Sequence, residues 1–501
     1  MLSAIQIPDL PWTAWILSWS LIIFIASFII NHIIFSIAVW RIPHPKALPL
    51  IGNAYQLNCN SEEFFSNLIK WQEEYGQIYL IWVGMRAFIF LYRVETVKPL
   101  LENSDNIDKS LEYRHLIPWL GTGLITSNGE KWHSRRKLIS STFHKHSLED
   151  YFSCAMNEVN IMINCLRKEI DKSVDIVPYA KRAALDVICD SSMGYRLDAQ
   201  TTLYNEYVLA VDKLSHITQY RFTSLWASKD FLFKWSNLGK EYDRALRVVH
   251  NFVDQVIAER KRERGNNENN NYDKPTKRNK HLLDSLLDIS SNGTILTDTD
   301  IRDEVNTFMF AGHDTTATSI SWVLYALGRN PQYQQRILDE YDEIIGSDEL
   351  TNVNIKTLRL LEACIKETWR MYPVAPLIAR QIYKPIKILG VTVPAGATVL
   401  INSYLLHRDP QNFPEPDVYR PERFLSDNPP NSPYAFIPFS AGNRNCIGKN
   451  LAPIVVKVFI ISILKAYHIE SLIPEDKLRL KAELVLVNND GVPLKITPRE
   501  R

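Results

Sequence analysis

The stretch that decides the fold is PFSAGNRNCIGKN, which runs from Pro438 to Asn450. It reads as a glycine-rich loop that leads into the apolar segment LAPIVVKVFIISILKAY, which predicts a buried helix. Backbone N–H groups at the start of a helix lower the pKa of a cysteine, so Cys446 is placed to act as a thiolate ligand. A structural cysteine after an ordinary turn is the alternative. The register of Phe, two Gly and Arg with the cysteine disfavours it.

The residues around Cys446 suit a large planar ligand. Gly442 and Gly448 have no Cβ, so we expect the backbone to pass flat against such a ligand at these positions. Phe439 is expected to lie beside the sulfur and exclude water. Arg444 is expected to reach an acidic group on the ligand.

A second motif, AGHDTT at residues 311–316, lies on the longest predicted helix, which extends from about residue 297 to 328. An acid beside an alcohol can deliver protons into a dry pocket where a helix is locally open. Gly312 would permit that opening, and Thr315 would take up the freed backbone hydrogen bond. The common alternative is that helical hydroxyls only bond back to carbonyl groups.

Two further motifs have charged residues at helical spacing. Trp132 and Arg136 are four residues apart, so the indole and the guanidinium share a helix face that suits a carboxylate. Glu367 and Arg370 are three residues apart, and such a pair alone usually lies at the surface.

These motifs together resemble the cytochrome P450 superfamily. The resemblance covers nearly the whole chain and is greatest to family four, the fatty-acid omega-hydroxylase branch, through the stretches EVNTFMFAGHDTTATSISW and PYAFIPFSAGNRNCIG. It implies the P450 fold, mainly α with a minor β region, preceded by one transmembrane helix. It also implies haem b, with the thiolate of Cys446 as the iron ligand.

The resemblance assigns roles to the motif residues. Thr315 would be the oxygen-side hydroxyl and Asp314 the proton-relay acid. A cofactor-binding set would surround the haem and its propionates, comprising Cys446, Trp132, Arg136, Arg380, Arg444, Phe439 and Gly442. Glu367, Arg370 and an arginine of the PERF element at 421–424 would be structural.

The chain departs from family four at one position. That branch commonly has a glutamate immediately before the Gly-His-Asp-Thr-Thr segment, where it can esterify a haem methyl. Here the residue is Ala311, which has no nucleophile. We therefore expect haem to be held non-covalently apart from the Cys446 thiolate, and the omega-hydroxylase assignment is weaker than the superfamily assignment.

Composition excludes some classes of function. The 501 residues have a globular composition, and a net charge of +1 argues against a nucleic-acid partner. Six scattered cysteines without a CxxC pair indicate a compartment in which thiols stay reduced.

The N-terminal region predicts a membrane anchor, because no Asp, Glu, Lys or Arg occurs from Trp12 to Trp40. A cleaved signal peptide is the alternative, but no basic region precedes the run and no small-residue cleavage site follows it. Basic residues follow the run from Arg41 onward, which predicts a cytosolic catalytic domain. The resemblance implies that the membrane is that of the endoplasmic reticulum. We expect a lumenal N-terminus at 1–12, an anchor at 13–40, a proline-rich hinge at 41–52, and one catalytic domain at 53–501 with a polar loop at 261–280.

Within the body, helical patterns dominate, and the clearest cover 64–75, 131–138, 148–170 and 242–260. Residues 77–93 predict a β-hairpin with Gly84 at the bend. Residues 386–404 predict two or three short strands with a turn at Pro394 and Gly396.

A basic cluster surrounds Trp132 and comprises Lys131, Arg135, Lys137 and Lys145 with His133, His144 and His146. A solvated helix face is the simple interpretation. The resemblance implies a second one, a dock for an acidic electron donor, namely an NADPH-fed flavoprotein reductase and possibly a cytochrome b-type donor.

The leading functional hypothesis is a membrane-bound monooxygenase that uses O2 and NADPH electrons to hydroxylate a lipophilic substrate. A haem-thiolate isomerase or dehydratase and a non-catalytic haem sensor are alternatives, and neither requires the Asp314–Thr315 relay. The predicted access segments, 111–123 and 201–236, are rich in apolar and aromatic residues. A fatty acid, a hormone-like terpenoid, a steroid and a xenobiotic all remain open as substrates.

Overall fold

The computed structural model of this chain describes residues 12–142, 147–201, 206–269, 281–291, 296–425 and 432–499. Helices dominate the described part, which confirms the predicted mainly α class. They are α1 Trp12–Val39, α2 Ala54–Leu57, α3 Ser61–Tyr75, α4 Val94–Leu101, α5 Ile117–Leu120, α6 Gly129–Thr142, α7 Ser147–Leu166, α8 Val177–Ile188, α9 Glu206–Thr223, α10 Asp230–Lys234, α11 Asn237–Asn269, α12 Leu282–Ser291, α13 Asp298–Arg329, α14 Pro331–Ile344, α15 Arg359–Met371, α16 Ser403–Leu406 and α17 Ala452–Ala466.

The strands form the minor β region. They are β1 Ile78–Val83, β2 Arg86–Leu91, β3 Ser173–Asp175, β4 Leu377–Gln381, β5 Ile386–Ile388, β6 Val391–Val393, β7 Thr398–Asn402, β8 Tyr467–Ser471, β9 Leu480–Ala482, β10 Leu486–Asn488 and β11 Pro493–Pro498. The largest sheet has the order β1-β2-β7-β4, in which only β2 and β7 are parallel. Both sequence predictions of strands are confirmed, since β1 and β2 form a hairpin around Gly84 and three strands occupy 386–402.

The long helix α13 crosses the core. Its start is fixed by a capping box, in which Thr297 Oγ1 accepts a hydrogen bond from the N–H of Asp300 at 3.1 Å while a carboxylate oxygen of Asp300 accepts from the Thr297 N–H at 3.1 Å. Most of its residues from Ile301 onward are buried, and it packs along α8 and α17. The helix therefore forms the central support of the body, as its length and caps predict.

The N-terminal helix α1 lies almost wholly outside the protein core. It has 28 residues, and its most apolar window has a mean hydropathy of 2.4. At about 1.5 Å per residue it exceeds the ~30 Å hydrocarbon core of a bilayer. In the described part of the chain it is the one helix that is long and apolar enough to cross a membrane, and it is a candidate anchor.

One boundary prediction is wrong in part. The polar stretch 261–280 was expected to be a loop, but α11 continues through Asn269. Lys, Arg and Glu form helices readily, and Arg260 is tied to α12 by Asp284 at 2.7 Å. These contacts extend the helix beyond the end of its apolar pattern. Residues 270–280 lie outside the described residues.

Candidate functional site

A cavity of about 480 Å³ opens in the core where the cysteine loop faces α13. Its wall includes Phe439, Arg444, Cys446 and Gly448 from the loop, with Trp132 and Arg136 of α6. From α13 it includes residues of the AGHDTT motif, namely Ala311, Gly312, Thr315 and Thr316. The structure thus brings the three sequence motifs to one site.

The surrounding protein encloses Cys446, but its side chain remains solvent-accessible and lines this cavity. The loop is held by the Cys446 N–H, which donates to the Phe439 carbonyl at 2.9 Å. Burial raises the pKa of the Cys446 thiol, while a hydrogen bond from the Gly448 backbone and the positive charges of Arg136, Lys109 and Lys449 act against that rise. These groups stabilise the thiolate form, which is the form that binds iron.

The two glycines of the loop differ in what they do. Gly448 lines the cavity, and a Cβ there would touch only the Cys446 sulfur, at 3.7 Å, so its place against a planar ligand stays a prediction. Gly442 does not line the cavity, so its predicted contact with a planar ligand stays a prediction. It has φ +73°, and a Cβ would lie 2.1 Å from the Leu101 carbonyl oxygen. Gly442 is therefore required by close packing of two backbone segments.

Two predicted propionate partners, Arg136 and Arg444, line the cavity and also brace the loop. Arg136 donates to the Asn445 carbonyl and to its side-chain oxygen, both at 2.9 Å. Arg444 stacks over the Trp132 ring at 4.8 Å and donates to Asn128 Oδ1 at 3.1 Å. Both guanidinium groups are thus fixed beside the cysteine.

Lys109 and Tyr113 were missed by the sequence analysis, although both line the cavity. Lys109 Nζ lies 3.3 Å from the Tyr113 hydroxyl, and burial lowers the pKa of Lys109 well below its usual range. The backbones of Lys109 and Arg380 pair in a β-bridge. Arg380 itself is buried and lies behind the cavity wall. The available signal was the i, i+4 spacing of Lys109 and Tyr113 in a segment otherwise expected to recognise substrate.

The site fits haem b. Four buried or half-buried cations surround the cysteine side of the cavity, namely Lys109, Arg136, Arg380 and Arg444. Among the described residues only Arg444 has a carboxylate partner, Asp108 at 3.6 Å. Cations buried without counter-ions are costly, so this excess suits a ligand with two carboxylates. No group of three or more potential metal-ligating side chains occurs in the described ranges.

On α13 the acid and the alcohol of the motif point to different surroundings. The Thr315 hydroxyl donates to the Ala311 carbonyl at 2.6 Å and borders the cavity, whereas Asp314 lies behind the wall. The predicted local opening of the helix at Gly312 is not observed: α13 is a continuous α-helix from Asp298 to Arg329. Close helix packing explains why residue 312 is a glycine: a Cβ there would lie 2.5 Å from the side chain of Ile188 on α8.

Asp314 forms an interior ion pair with Lys181 of α8 at 2.9 Å. The positive charges of Lys181 and, to a smaller extent, of His313 hold the pKa of Asp314 below its usual range despite burial. Lys181 also contacts Asp212 on α9, whose side chain is 46% exposed. A chain of charged groups therefore leads from the surface to the middle of α13.

The Glu367–Arg370 pair is fully buried behind the cysteine loop. Arg370 Nε bonds Glu367 at 2.8 Å, and Arg423 of the PERF element approaches the same carboxylate at 3.4 Å. The His407 carbonyl accepts from Arg370 at 3.2 Å. This arrangement agrees with the predicted structural role.

The basic cluster on α6 is not one free surface. Asp300 pairs with Lys131 at 3.0 Å and with Arg135 at 2.7 Å, and Arg135 is buried. Arg135 is therefore wrong as a docking residue, because its charge is already neutralised inside the protein. Lys137 is exposed. Lys145, His144 and His146 lie outside the described residues.

Known proteins match nearly the whole chain. The family model described as Cytochrome P450 matches residues 42–495. The chain is 39% identical to Cytochrome P450 4c3 of Drosophila melanogaster, over 92% of this chain and 90% of that relative. It is 39% identical to Cytochrome P450 4V2 of Homo sapiens, over 91% and 89% of the two chains. Cytochrome P450 4c21 of Blattella germanica is 35% identical over 89% and 91%. All three relatives carry family-four names.

Proposed function

The chain belongs to the cytochrome P450 family and is a haem-thiolate monooxygenase, and from that premise we propose that it hydroxylates a lipophilic substrate at the endoplasmic reticulum membrane. Electrons would come from NADPH through a flavoprotein reductase. The observation that carries the proposal is the Cys446 thiol, which opens into a largely apolar cavity bordered by Thr315. That arrangement supports oxygen chemistry on an apolar molecule away from water.

The residues around Cys446 would hold haem b. A thiolate-bound haem supplies O2 activation and favours cleavage of the O–O bond. Arg136, Arg444 and Lys109, which line the cavity, would bind its carboxylates, Arg380 would add positive charge from behind the wall, and Trp132 would support the Arg444 guanidinium. Phe439 lines the same cavity as Cys446 and would shield the sulfur, and an edge contact with Trp369, with ring centroids 5.1 Å apart, would hold its ring in place. Gly442 contributes by shaping the loop.

The residues of α13 would manage protons. Thr315 presents a hydroxyl at the cavity wall, and Asp314 supplies a buried carboxylate one residue earlier. In the proposed relay Thr315 gives its hydroxyl proton to the cavity side and receives a new one from Asp314. Asp314 is resupplied from the solvent side, where Lys181 connects it to half-exposed Asp212. The Ala311 carbonyl would orient the Thr315 hydroxyl before the proton transfer by accepting its hydrogen bond.

The position of the chain in the membrane is part of the proposal. Helix α1 would be the anchor within 13–40, with residues 1–12 lumenal, and residues 41–52 would be a hinge with three prolines. Residues 53–501 would form one catalytic domain in the cytosol, since the basic residues follow the span.

The reductase would dock on the face that lies behind Cys446. Two exposed lysines mark this face: Lys137 follows Arg136, and the charge of Lys449 acts on Cys446. We expect the double variant Lys137→Glu with Lys449→Glu to show a slower first reduction in stopped-flow measurements. The difference in rate from the wild type should become smaller at high salt, because salt screens the charges. Lys387→Glu, an exposed change elsewhere, is the control. Equal reduction rates in all three proteins would contradict this dock.

The function is tested by two measurements on the membrane-bound holoenzyme. The reduced, carbon-monoxide difference spectrum should show the displaced Soret band of thiolate-bound haem, and Cys446→Ser should lose it. Product from lipophilic substrates should require NADPH and reductase and should contain one atom of labelled O2. Product formed from a hydroperoxide alone would instead indicate an isomerase or dehydratase. An intact band without any product would indicate a sensor.

A further inference from the structure

The charged residues of the cavity wall are divided into two groups. In the described part of the chain five charged side chains line the cavity: Lys109, Arg136, Arg444, Glu112 and Glu483. The three cations belong to the cysteine side, where two haem carboxylates would engage them. The two remaining charges, which would face the substrate, are both acids.

Glu112 borders the cavity, and the basic residue with which it forms an ion pair lies outside the cavity. Its partner is Arg86 on β2, which also donates to Thr398 Oγ1 at 3.3 Å. The Glu112 side chain is 14% exposed and that of Arg86 is 37% exposed, and only Glu112 borders the cavity. The ion pair thus presents its carboxylate inward and its guanidinium outward.

Glu483, between β9 and β10, repeats this arrangement. It pairs with His216 of α9 at 3.1 Å and with Lys481 at 3.6 Å. Its side chain is 11% exposed, against 60% for His216, and again the acid alone of the three lines the cavity. No lining cation is therefore left for an anionic substrate among the described residues.

A hydroxyl group beside Glu112 adds independent evidence for a ligand. Ser110 is 2% exposed and lines the cavity, and its Oγ has no hydrogen-bond partner among the described residues. A buried hydroxyl without a partner costs free energy unless a ligand satisfies it. Ser110 can donate to a ligand oxygen, and Glu112, two residues further along the same cavity wall, can accept a hydrogen bond from a ligand hydroxyl.

From this arrangement we propose that the cavity selects uncharged lipophilic molecules that carry a hydroxyl group, binds that hydroxyl at Glu112 and Ser110, and excludes free carboxylates. The proposal deepens the proposed monooxygenase function and rests on it. Arg86 compensates Glu112 from outside the cavity, but a carboxylate on the cavity side of Glu112 would approach the like charge and not Arg86, in a site of low dielectric. An alcohol would satisfy both Glu112 and Ser110. The substrate class is thus a long-chain or terpenoid alcohol.

The test uses three probes of equal chain length with the full-chain holoenzyme in lipid nanodiscs: 1-dodecanol, methyl dodecanoate and dodecanoate. Binding is measured by equilibrium dialysis and by Soret shift. We expect the wild type to bind dodecanol about tenfold or more tightly than dodecanoate, with the ester between them because it cannot donate. A wild type that binds dodecanoate as tightly as dodecanol would overturn the proposal.

Substitution of Glu112 gives a sharper outcome. Glu112→Gln removes the inward charge and frees Arg86, so the ratio of dodecanoate to dodecanol dissociation constants should fall about fivefold or more. Comparison of this ratio between the variant and the wild type cancels the partition of each probe into the bilayer. Ser110→Ala should weaken dodecanol alone, and exposed Glu349→Gln is the matched control. An unchanged ratio in Glu112→Gln, with the thiolate Soret band intact, would refute the role of Glu112. Failure of the monooxygenase function would appear separately, as the expected binding order without NADPH-dependent product.

Discussion

Asp314 of α13 and Lys181 of α8 form an ion pair inside the protein, with Asp314 Oδ1 2.9 Å from Lys181 Nζ. Both side chains are less than a tenth exposed. The pair joins the two helices at the level where Gly312 allows them to approach closely. It also keeps Asp314 ionised, so structure and proposed proton delivery depend on the same contact.

Removal of either partner should destabilise the protein. Lys181→Met leaves the buried carboxylate of Asp314 uncompensated, which costs about 3–5 kcal/mol in such pairs, whereas Asp314→Asn leaves Lys181 paired with Asp212 and should cost less. We expect the double variant to lose less free energy of unfolding than the sum of the two single variants, measured by denaturant titration of the holoprotein. Lys172→Met, at an exposed lysine, is the control. Additive losses would show that the two residues are not coupled.

The fold could largely be predicted from the sequence because its signals are local. The start of α13 follows from Thr297 and Asp300, which are three residues apart, and the β1–β2 hairpin follows from Gly84. The helix α11 is longer than predicted because Arg260 forms an ion pair with Asp284 on another helix. That contact cannot be seen in a local polar stretch.

The site could be predicted only where its residues lie close together in one sequence motif. The cysteine loop is such a motif. The reason for Gly442 lies at Leu101, and Lys181 meets Asp314 only in the folded chain. Lys109 resembles any solvated lysine until the fold buries it. Contacts between residues distant in sequence therefore account for what the sequence did not reveal.

Loss of the Thr315 hydroxyl should impair oxygen chemistry without impairing folding. A positioned proton donor contributes about 10²–10⁴ to rate, so Thr315→Ala should lower kcat about 100-fold and divert NADPH electrons to peroxide. Thr315→Ser retains the hydroxyl and should recover most of the activity. Thr318→Ala, on the same helix and away from the cavity wall, is the control. Product and peroxide yields per NADPH measure the effect, and a Thr315→Ala enzyme that couples like the wild type would exclude this role.

Lys109 should be needed to retain haem. Lys109→Met removes a buried donor near the proposed propionate sites, and a charge-assisted hydrogen bond contributes about 1.5–3 kcal/mol. Haem transfer to a scavenging apoprotein should therefore accelerate about tenfold or more. Lys98→Met changes an exposed lysine on α4 and should have no effect. If the transfer rates of all three proteins agree, Lys109 does not bind the cofactor.

Haem should be released completely by acid-acetone extraction. Ala311 lines the cavity and has no group that can form an ester. In acid the Cys446 thiolate is protonated and dissociates from the iron. Because Ala311 forms no ester, no covalent bond between the protein and the macrocycle should remain. Ala311→Glu, which places a carboxylate at the same point of the wall, should retain a fraction of its haem after turnover. Haem retained by the wild-type chain would contradict the prediction.

Acid should destabilise the protein through His407, whose Nε2 accepts the Ile437 N–H at 2.9 Å. Burial, aided by the positive charges of Arg370 and Arg408, lowers the pKa of His407 to about 3, although a backbone hydrogen bond at Trp369 opposes the shift. The ordinary histidine pKa is about 6.5. The unfolded chain therefore binds a proton below that pH while the folded protein does not.

The free energy of unfolding should accordingly fall as the pH drops from about 6.5 towards 3, by up to about 1.4 kcal/mol per pH unit for this one group. His407→Gln stays neutral and offers a carbonyl oxygen to the Ile437 N–H, so its unfolding free energy should fall less steeply over the same range. Denaturant titrations of the holoprotein at several pH values between 4 and 7 measure the two slopes. Exposed His133→Gln should keep the wild-type slope. Equal slopes in the wild type and His407→Gln would mean that other groups carry the acid sensitivity.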